Sequence, residues 1–371
     1  MADRVAGAPV IIDKVRDALT EKQLIDWKDY KTDVLQWAAR MGKEPKKAEG
    51  YSDSVVRQMS YQVSLFYRWL WEDKDKYTTT VTVEDINRFM SDVAMRDTSN
   101  SAKGTKQKCM KRLVKYQEHR RGREMDWEAS YSFHEPHNKP RDFLTKDERK
   151  KIREAALEYG SVPSYHSVTP EERDNWKSYL AQRFGKSKRD VSPDDFDRAN
   201  GWKLTSLFWT TLDAGLRPVE VRRARVHWVD VENNMLRIPH DESSKGSENW
   251  TVAISDRTAS SLERWLEERE YYEKYDESDR IWLSREGTPY TSMSLGRHLR
   301  NLCEEAEIPI ENRQMSWYAI RHSVGTYFTR EEDLAAAQAQ LRHKSPETTM
   351  KYDQAPVEDR RDAQIRWADY V

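Results

Sequence analysis

Residues 213–221 read Asp-Ala-Gly-Leu-Arg-Pro-Val-Glu-Val, and this stretch decides how the second half of the chain is built. Gly215 suits the left-handed position that ends a helix, and Pro218 suits the first position of the next one. Arg217 is therefore expected at a helix N-terminus, where backbone N–H groups favour an anion and its guanidinium can bind a phosphate. Glu220 lies three residues on and can hold Arg217 or a nearby histidine. A plain surface ion pair between Arg217 and Glu220 explains this stretch equally well.

The pattern on both sides of this stretch predicts a mainly α protein with a small antiparallel β-sheet. Helical periodicity dominates from residue 20 onwards, and apolar residues alternate over 226–239 and 250–254 on either side of a polar loop. These two segments predict a β-hairpin. The predicted organisation is a leader (1–19), a helical domain (20–123), a linker (124–142) and a second domain (143–371) with an insertion at 160–201 and a tail at 353–371.

Length and composition exclude several classes of protein. The chain has 371 residues, of which 34% are charged, and its mean hydropathy is −0.99. No window approaches the roughly 18 apolar residues that span a bilayer, and no signal-peptide layout is present. Cys109 and Cys303 are too few for a disulfide framework or a thiolate metal site. We therefore expect a cytoplasmic protein with no membrane partner.

One helix of the first domain carries a strong positive charge although the whole chain is balanced, with 63 basic and 64 acidic residues. Residues 103–123 contain nine lysines and arginines and a single acidic residue, Glu118, which gives a local charge of +8. A solvated helix face and a face laid against phosphates both fit this pattern. The candidate DNA-binding residues on it are Lys103, Lys106, Lys108, Lys111, Arg112 and Lys115.

Further chemistry-bearing residues lie in three later segments. Lys245 occupies the turn of the predicted hairpin, where a lysine is usually only solvated but can also act as a general acid. Tyr318 and Arg321 share one face of a helix, and Gly325 in the middle of that helix implies close packing there. His343 and Tyr352 stand in the stretch Arg-His-Lys-Ser-Pro-Glu-Thr-Thr-Met-Lys-Tyr at 342–352. A tyrosine at such a helix end is more often a packing residue.

Taken in this order, the residues resemble the active site of the tyrosine recombinase (phage-type integrase) family. The most specific segments are Gly-Leu-Arg-Pro-Val-Glu at 215–220 and the stretch 342–352. The insertion at 160–201 and the sequence around it resemble archaeal, especially haloarchaeal, integrases. The resemblance spans about residues 20–371 and implies a helical SAM-like core-binding domain followed by a mixed α+β catalytic domain. The catalytic residues that it implies are Arg217, Lys245, Tyr318, Arg321, His343 and the nucleophile Tyr352, with Glu220 in support.

One position departs from the family pattern. The family usually has histidine three residues before the second arginine, and this chain has Tyr318 there. A phenol can donate a hydrogen bond to a phosphate but is not an acid or base at neutral pH as imidazole is. His322 is adjacent to Arg321, but a helix turns about 100° per residue, so we expect His322 to point away from the site.

The resemblance implies a mechanism in which Tyr352 attacks a scissile phosphate and forms a 3′-phosphotyrosyl bond. Arg217 and Arg321 neutralise the phosphate oxygens, Lys245 protonates the leaving 5′-oxygen, and His343 binds the phosphate or accepts the tyrosine proton. It implies no cofactor, metal or ATP. The implied partners are double-stranded DNA, a homotetramer on two DNA sites that is a weaker oligomer off DNA, and accessory DNA-bending proteins.

Two other functions fit the same residues. A type IB topoisomerase shares the nucleophile and the arginines but relaxes supercoils as a monomer. A non-catalytic DNA-binding protein with the same fold would bind its site without a covalent adduct, and Tyr318 gives that alternative some weight. The sequence leaves open the target site, the direction of recombination, cleavage in cis or in trans, and whether the tail docks on a neighbouring protomer or packs in cis.

Overall fold

A computed structural model of the chain describes residues 4–133, 142–199, 201–243, 248–352 and 364–365. The chain divides into two compact units, the first ending at Asn138 and the second beginning at Lys139. Helices dominate both units, and the strands form small antiparallel sheets. The predicted fold class is thereby confirmed. No helix in the described ranges combines the length and apolar character needed to cross a membrane.

The first unit is a helical bundle around one apolar core. Aromatic side chains from several helices meet there, as where Trp27 contacts Tyr67 and Trp71 with ring centroids 4.9 and 5.1 Å apart. Thr20 and Thr82 cap two of the helices through reciprocal hydrogen bonds with the residue three positions on. The elements of this unit are β1 (Arg4–Val5), β2 (Ala8–Pro9), α1 (Asp13–Arg16), α2 (Glu21–Arg40), α3 (Asp53–Lys74), α4 (Val83–Met95) and α5 (Asn100–Arg121).

The segments predicted as leader and as linker are partly built into this unit. Ala8 in β2, Val10 just after it and Val15 in α1 are all fully buried in its core. Met125 is also buried there, and the Trp127 Nε1 donates a hydrogen bond to Asn87 over 2.8 Å. The described part of 1–19 and the first part of 124–142 therefore belong to the helical unit, which is larger than the predicted 20–123.

The second unit is organised around one central apolar helix, α9 (Trp202–Ala214). It packs against α6 (Lys146–Glu158), α11 (Asp256–Arg269) and α13 (Trp317–Glu331). Three antiparallel strands form a sheet in the order β3 (Val229–Asp230), β4 (Met235–Ile238) and β5 (Trp250–Ala253). Leu236 lies opposite Val252, and both are buried. The predicted hairpin is confirmed as β4–β5. The elements are α6 (Lys146–Glu158), α7 (Pro170–Phe184), α8 (Pro193–Arg198), α9 (Trp202–Ala214), α10 (Pro218–Arg223), β3 (Val229–Asp230), β4 (Met235–Ile238), β5 (Trp250–Ala253), α11 (Asp256–Arg269), α12 (Ser292–Glu305), α13 (Trp317–Glu331), α14 (Leu334–Leu341) and α15 (Pro346–Thr349).

The predicted insertion at 160–201 holds α7 and α8 and a small apolar cluster of its own around Leu180, Val191 and Phe196. It is attached to the main core by a ring contact between Phe184 and Tyr272, whose centroids are 5.2 Å apart. The insertion is thus a folded part of the second unit rather than a loose loop.

Candidate active site

The stretch 213–221 forms the turn that its sequence predicts. Gly215 ends α9 with φ of +57°, and a Cβ atom there would lie 2.8 Å from the side chain of Leu341. Arg217 is the N-cap of α10 and Pro218 its first residue. The Glu220 carboxylate accepts hydrogen bonds from the Arg217 backbone N–H at 2.7 Å and from its Nη1 at 2.6 Å. Glu220 therefore orients the guanidinium of Arg217 at the start of α10.

Glu220 is buried and binds three arginines. Arg342 donates to its Oε2 from 2.8 Å, and the Nη1 of Arg321 lies 4.0 Å from the same oxygen. Burial alone would raise the pKa of Glu220, but the charges of Arg342, Arg217 and Arg321 outweigh it and hold the pKa well below its usual range. Three guanidinium charges against one carboxylate give this cluster a net charge of +2. Such a cluster is suited to receive an anion.

Arg321 is held in place by backbone carbonyls from two other elements. Its Nη1 donates to the carbonyl of Gly215 at 2.6 Å, and its Nη2 donates to the carbonyl of Leu341. Burial, followed by the charges of Arg342 and Arg217, lowers the pKa of Arg321 to about 9. Because nearby positive charge disfavours this cation, a bound phosphate would stabilise it.

His343 links Arg321 to Tyr352. Its Nε2 lies 3.0 Å from the Nη2 of Arg321, and its Nδ1 lies 2.9 Å from the Oγ1 of Thr349. A guanidinium only donates hydrogen bonds, so Nε2 accepts and the ring proton sits on Nδ1. The ring also stacks on Tyr352 with 5.8 Å between centroids and 7° between planes.

Tyr352 is buried in a short 3₁₀ turn, Met350–Tyr352, that follows α15. Its ring lies over Gly325, where an added Cβ would be 2.8 Å from the ring carbons. The close packing expected at Gly325 is thereby confirmed. The Tyr352 hydroxyl is 3.3 Å from the Nδ1 of His322.

The contact with His322 corrects the expectation that this side chain points away. His322 and Gly325 are three residues apart on α13 and share a face, and Tyr352 packs on that face. Tyr318, one turn earlier, is 44% exposed and lies with its ring centroid 6.2 Å from that of His322. Tyr318 is therefore at the rim of the cluster, and His322 is the residue whose ring nitrogen lies next to the Tyr352 hydroxyl.

Arg342 is a further site residue that reasoning from the sequence gave no role. It occupies the left-handed position after α14 with φ of +56°, and its Nη1 donates to the carbonyls of Ala214 and Gln340 at 2.8 and 2.7 Å. Its position next to His343 in the sequence was the only indication that Arg342 belongs to the site. Its pairing with Glu220 joins segments 122 residues apart and has no local signature.

The remaining predicted site residues are Lys245 and the basic residues of α5 in the first unit. Lys245 lies outside the described residues. On α5, Lys103 and Lys115 donate to the carbonyls of Ala94 and Lys43 at 2.8 and 2.7 Å. Arg112 donates to Gln58 at 3.3 Å, partial burial lowers the pKa of Lys106, and Lys108 and Lys111 are exposed. Within the described ranges no group of three or more histidine, cysteine or carboxylate side chains is placed to hold a metal ion.

Substituting Gly325 by alanine should destabilise the second unit by about 1 to 3 kcal/mol, because the new methyl group overlaps Tyr352 and Leu341. Gly104 is the matched control, since it also lies in a helix but a Cβ there meets nothing nearer than 3.9 Å. Gly104→Ala should therefore stabilise by about 0.5 to 1 kcal/mol. Urea unfolding measures both, and equal effects of the two substitutions would contradict the close approach at Gly325.

Comparison with known protein families gives one match. The model of the phage integrase family matches residues 196–358, which contain α9 and every described residue of the cluster. A search of curated protein sequences finds no match.

Solved structures of the XerH site-specific recombinase have a similar fold. The post-cleavage complex with palindromic difH substrate has a TM-score of 0.52 and 15% identity, over 94% of this chain and 90% of that chain. The pre-cleavage complex with difH has a TM-score of 0.51 and 16% identity, over 95% and 92%. A lambda integrase dimer bound to a COC′ core site has a TM-score of 0.48 and 14% identity, over 92% and 83%.

Residues 196–358 therefore match the phage integrase family, and the chain has a fold similar to that of the XerH site-specific recombinase. The resemblance found in the sequence is confirmed, and the likeness to archaeal integrases stays a prediction.

Proposed function

We propose that this chain is a site-specific DNA recombinase that cuts and rejoins DNA through a 3′-phosphotyrosyl intermediate. The observation that carries the proposal is the buried arginine cluster around Glu220, with its excess of positive charge, which is joined to Tyr352 through the His343 ring. A phosphodiester supplies the anion that suits this cluster, and the phenol supplies a nucleophile. The XerH structures contain that protein bound to its DNA substrate, which supports double-stranded DNA as the partner here.

In the proposed reaction the Tyr352 oxygen loses its proton and bonds to the scissile phosphorus, and the bond from phosphorus to the 5′-oxygen breaks. Arg217 and Arg321 neutralise the non-bridging oxygens, where negative charge builds in the transition state. Lys245 gives a proton to the leaving 5′-oxygen, and Tyr318 adds a hydrogen bond from the rim. Attack by a new 5′-hydroxyl reverses these steps, so the energy of the phosphodiester is kept and no ATP is needed.

The same residues suggest that no metal or other cofactor takes part. In many phosphoryl-transfer sites a bound cation stabilises the charge on the transferring group. Here Arg217, Arg321 and Arg342 bring three fixed positive charges to one place. Strand cleavage is therefore expected to proceed in the presence of EDTA.

His322 is the proposed proton acceptor for Tyr352, and His343 is proposed to orient Arg321 and the phosphate. The Nδ1 of His322 is within reach of the tyrosine hydroxyl, whereas the ring nitrogens of His343 lie against Arg321 and Thr349. The position that the family usually gives to histidine holds Tyr318, so this chain would take its base from the residue after Arg321.

His322→Gln should slow covalent adduct formation by about 100-fold while leaving the DNA dissociation constant unchanged, because glutamine keeps a hydrogen bond but accepts no proton. The deficit should shrink near pH 9 to 10, where hydroxide takes the proton directly. His166→Gln, at an exposed histidine of the insertion, is the matched control and should have no effect. A deficit that is the same at every pH would argue against a proton-accepting role.

The proposed function is tested with duplex DNA from the genomic neighbourhood of the gene, nicked near candidate sites so that the 5′-hydroxyl fragment escapes. The protein is incubated with this DNA in EDTA and examined for an SDS-resistant protein–DNA adduct. An adduct supports tyrosine-mediated strand transfer. Its absence on DNA that the protein binds at a specific site would favour the non-catalytic alternative.

The resemblance to the family also leads to a proposal for the oligomeric state and the location of the active protein. We propose a homotetramer on two DNA sites that is a weaker oligomer off DNA, with accessory DNA-bending proteins and a cytoplasmic, nucleoid-associated location. A type IB topoisomerase activity would instead appear as relaxation of supercoiled DNA by a monomer without a specific site.

A further inference from the structure

A second cluster of basic residues lies in the second unit, away from the arginines around Glu220. A small cleft at the junction of the insertion with the main core is lined by Tyr179, Gln182, Arg183, Lys203, Lys274 and Arg285. We call it the junction cleft. Lys203 is the second residue of α9, and Gly215 follows the other end of that helix. About 12 residues at 1.5 Å each separate the two clusters by roughly 18 Å along the helix.

One of the four basic side chains is already neutralised. Arg183 and Glu268 form a buried ion pair with 2.8 Å between Nη2 and Oε1. The same carboxylate accepts hydrogen bonds from the backbone N–H of Trp202 at 2.8 Å and from the hydroxyl of Tyr272. Through these contacts the Glu268 carboxylate joins the insertion to the start of α9.

The other three basic side chains are poorly compensated. Within the described residues no carboxylate lies within 4.0 Å of the ammonium of Lys203 or Lys274, and Arg285 is 3.8 Å from Glu286. When all four basic side chains are protonated, counting Glu268 and Glu286 against them leaves the junction cleft with a net charge of +2.

Burial and neighbouring positive charge disfavour the protonated forms of both lysines. Burial, then the charges of Lys274 and Arg183, lowers the pKa of Lys203 to about 7. Burial and the charge of Arg183 lower the pKa of Lys274 to about 8, although Glu286 acts in the opposite direction. A cleft that disfavours its own ammonium groups is stabilised by whatever anion enters it.

We propose that the junction cleft binds a phosphate group. The two lysine ammonium groups and the guanidinium of Arg285 supply several donors to the lining of one small cleft, and Gln182 and Tyr179 add neutral donors to it. This arrangement suits an anion with three or more acceptor oxygens and more than one negative charge. The phosphate belongs either to the DNA backbone beyond the cleavage site or to a small phosphorylated molecule, and two measurements distinguish these sources.

The test compares the full chain with the double variant Lys203→Met/Lys274→Met. Lys150→Met/Lys151→Met is the matched control, since it removes two exposed lysines of α6 in the same unit. In the first arm, thermal unfolding without DNA is followed with inorganic pyrophosphate or with chloride at equal ionic strength. A Tm rise specific to pyrophosphate in the wild type and the control, absent from the double variant, supports a small phosphorylated ligand.

In the second arm, DNA affinity is measured as a function of salt concentration. Loss of one phosphate contact lowers the slope of log K against log salt by about 0.9. A reduction of that size in the double variant and not in the control identifies DNA as the source. Lys274→Gln alone serves if the double variant does not fold. The proposal is overturned if neither arm separates the cleft variants from the control. Neither arm requires strand transfer, so this failure is distinct from failure of the proposed recombinase activity.

Discussion

Tyr352→Phe should abolish the covalent protein–DNA adduct completely while leaving specific DNA binding intact. Only the hydroxyl oxygen is removed, and the ring keeps its stacking on His343 and its packing on Gly325. The lost hydrogen bond to His322 should lower stability by no more than about 0.5 to 1.5 kcal/mol. SDS gel electrophoresis of nicked-substrate reactions measures the adduct, and a binding titration measures the affinity.

Tyr271→Phe is the matched control for this experiment, because Tyr271 is a half-exposed phenol in the same unit. It should form the adduct at the wild-type rate. An adduct that survives Tyr352→Phe would mean that another residue is the nucleophile, and Tyr318 would be the first to examine because it also lies beside His322.

Arg321→Lys should lower the rate of adduct formation by roughly 10²- to 10³-fold. Lysine keeps the charge but has no planar fork of donors, so it cannot contact the Gly215 and Leu341 carbonyls and His343 while also facing a phosphate. The loss should appear in the rate of cleavage at saturating DNA rather than in the dissociation constant, because the negative charge on the phosphate oxygens increases in the transition state.

Arg330→Lys is the corresponding control, since Arg330 lies in the last turn of the same helix and is exposed. It should leave the cleavage rate unchanged. A rate for Arg321→Lys within a few-fold of the wild type would show that charge alone suffices at this position. The fixed orientation of the guanidinium would then have no catalytic importance.

The local parts of the site could be read from the sequence because their contacts span few residues. The end of α9 at Gly215, the start of α10 at Pro218 and the pairing of Arg217 with Glu220 all depend on neighbours within four positions. Gly325 could be interpreted for a similar reason. A glycine in mid-helix weakens the helix, so its presence predicts a close neighbour even though it does not identify that neighbour.

Apolar periodicity likewise determined the mainly helical fold and the β4–β5 hairpin, since burial of one face is a property of each segment. It did not determine where the first unit begins. The residues before α1 have too short a pattern to indicate that they are buried, and only the packing of β2 against α3 reveals it.

Contacts between distant segments were decided by the tertiary structure alone. Arg342 reaches Glu220 across 122 residues, and Arg321 reaches the Gly215 carbonyl across 106. The choice of His322 over Tyr318 beside the Tyr352 hydroxyl depends on how the turn after α15 crosses α13. Residue spacing specifies which face of a helix a side chain occupies. Which distant segment covers that face depends on how whole helices pack, and no local pattern encodes it.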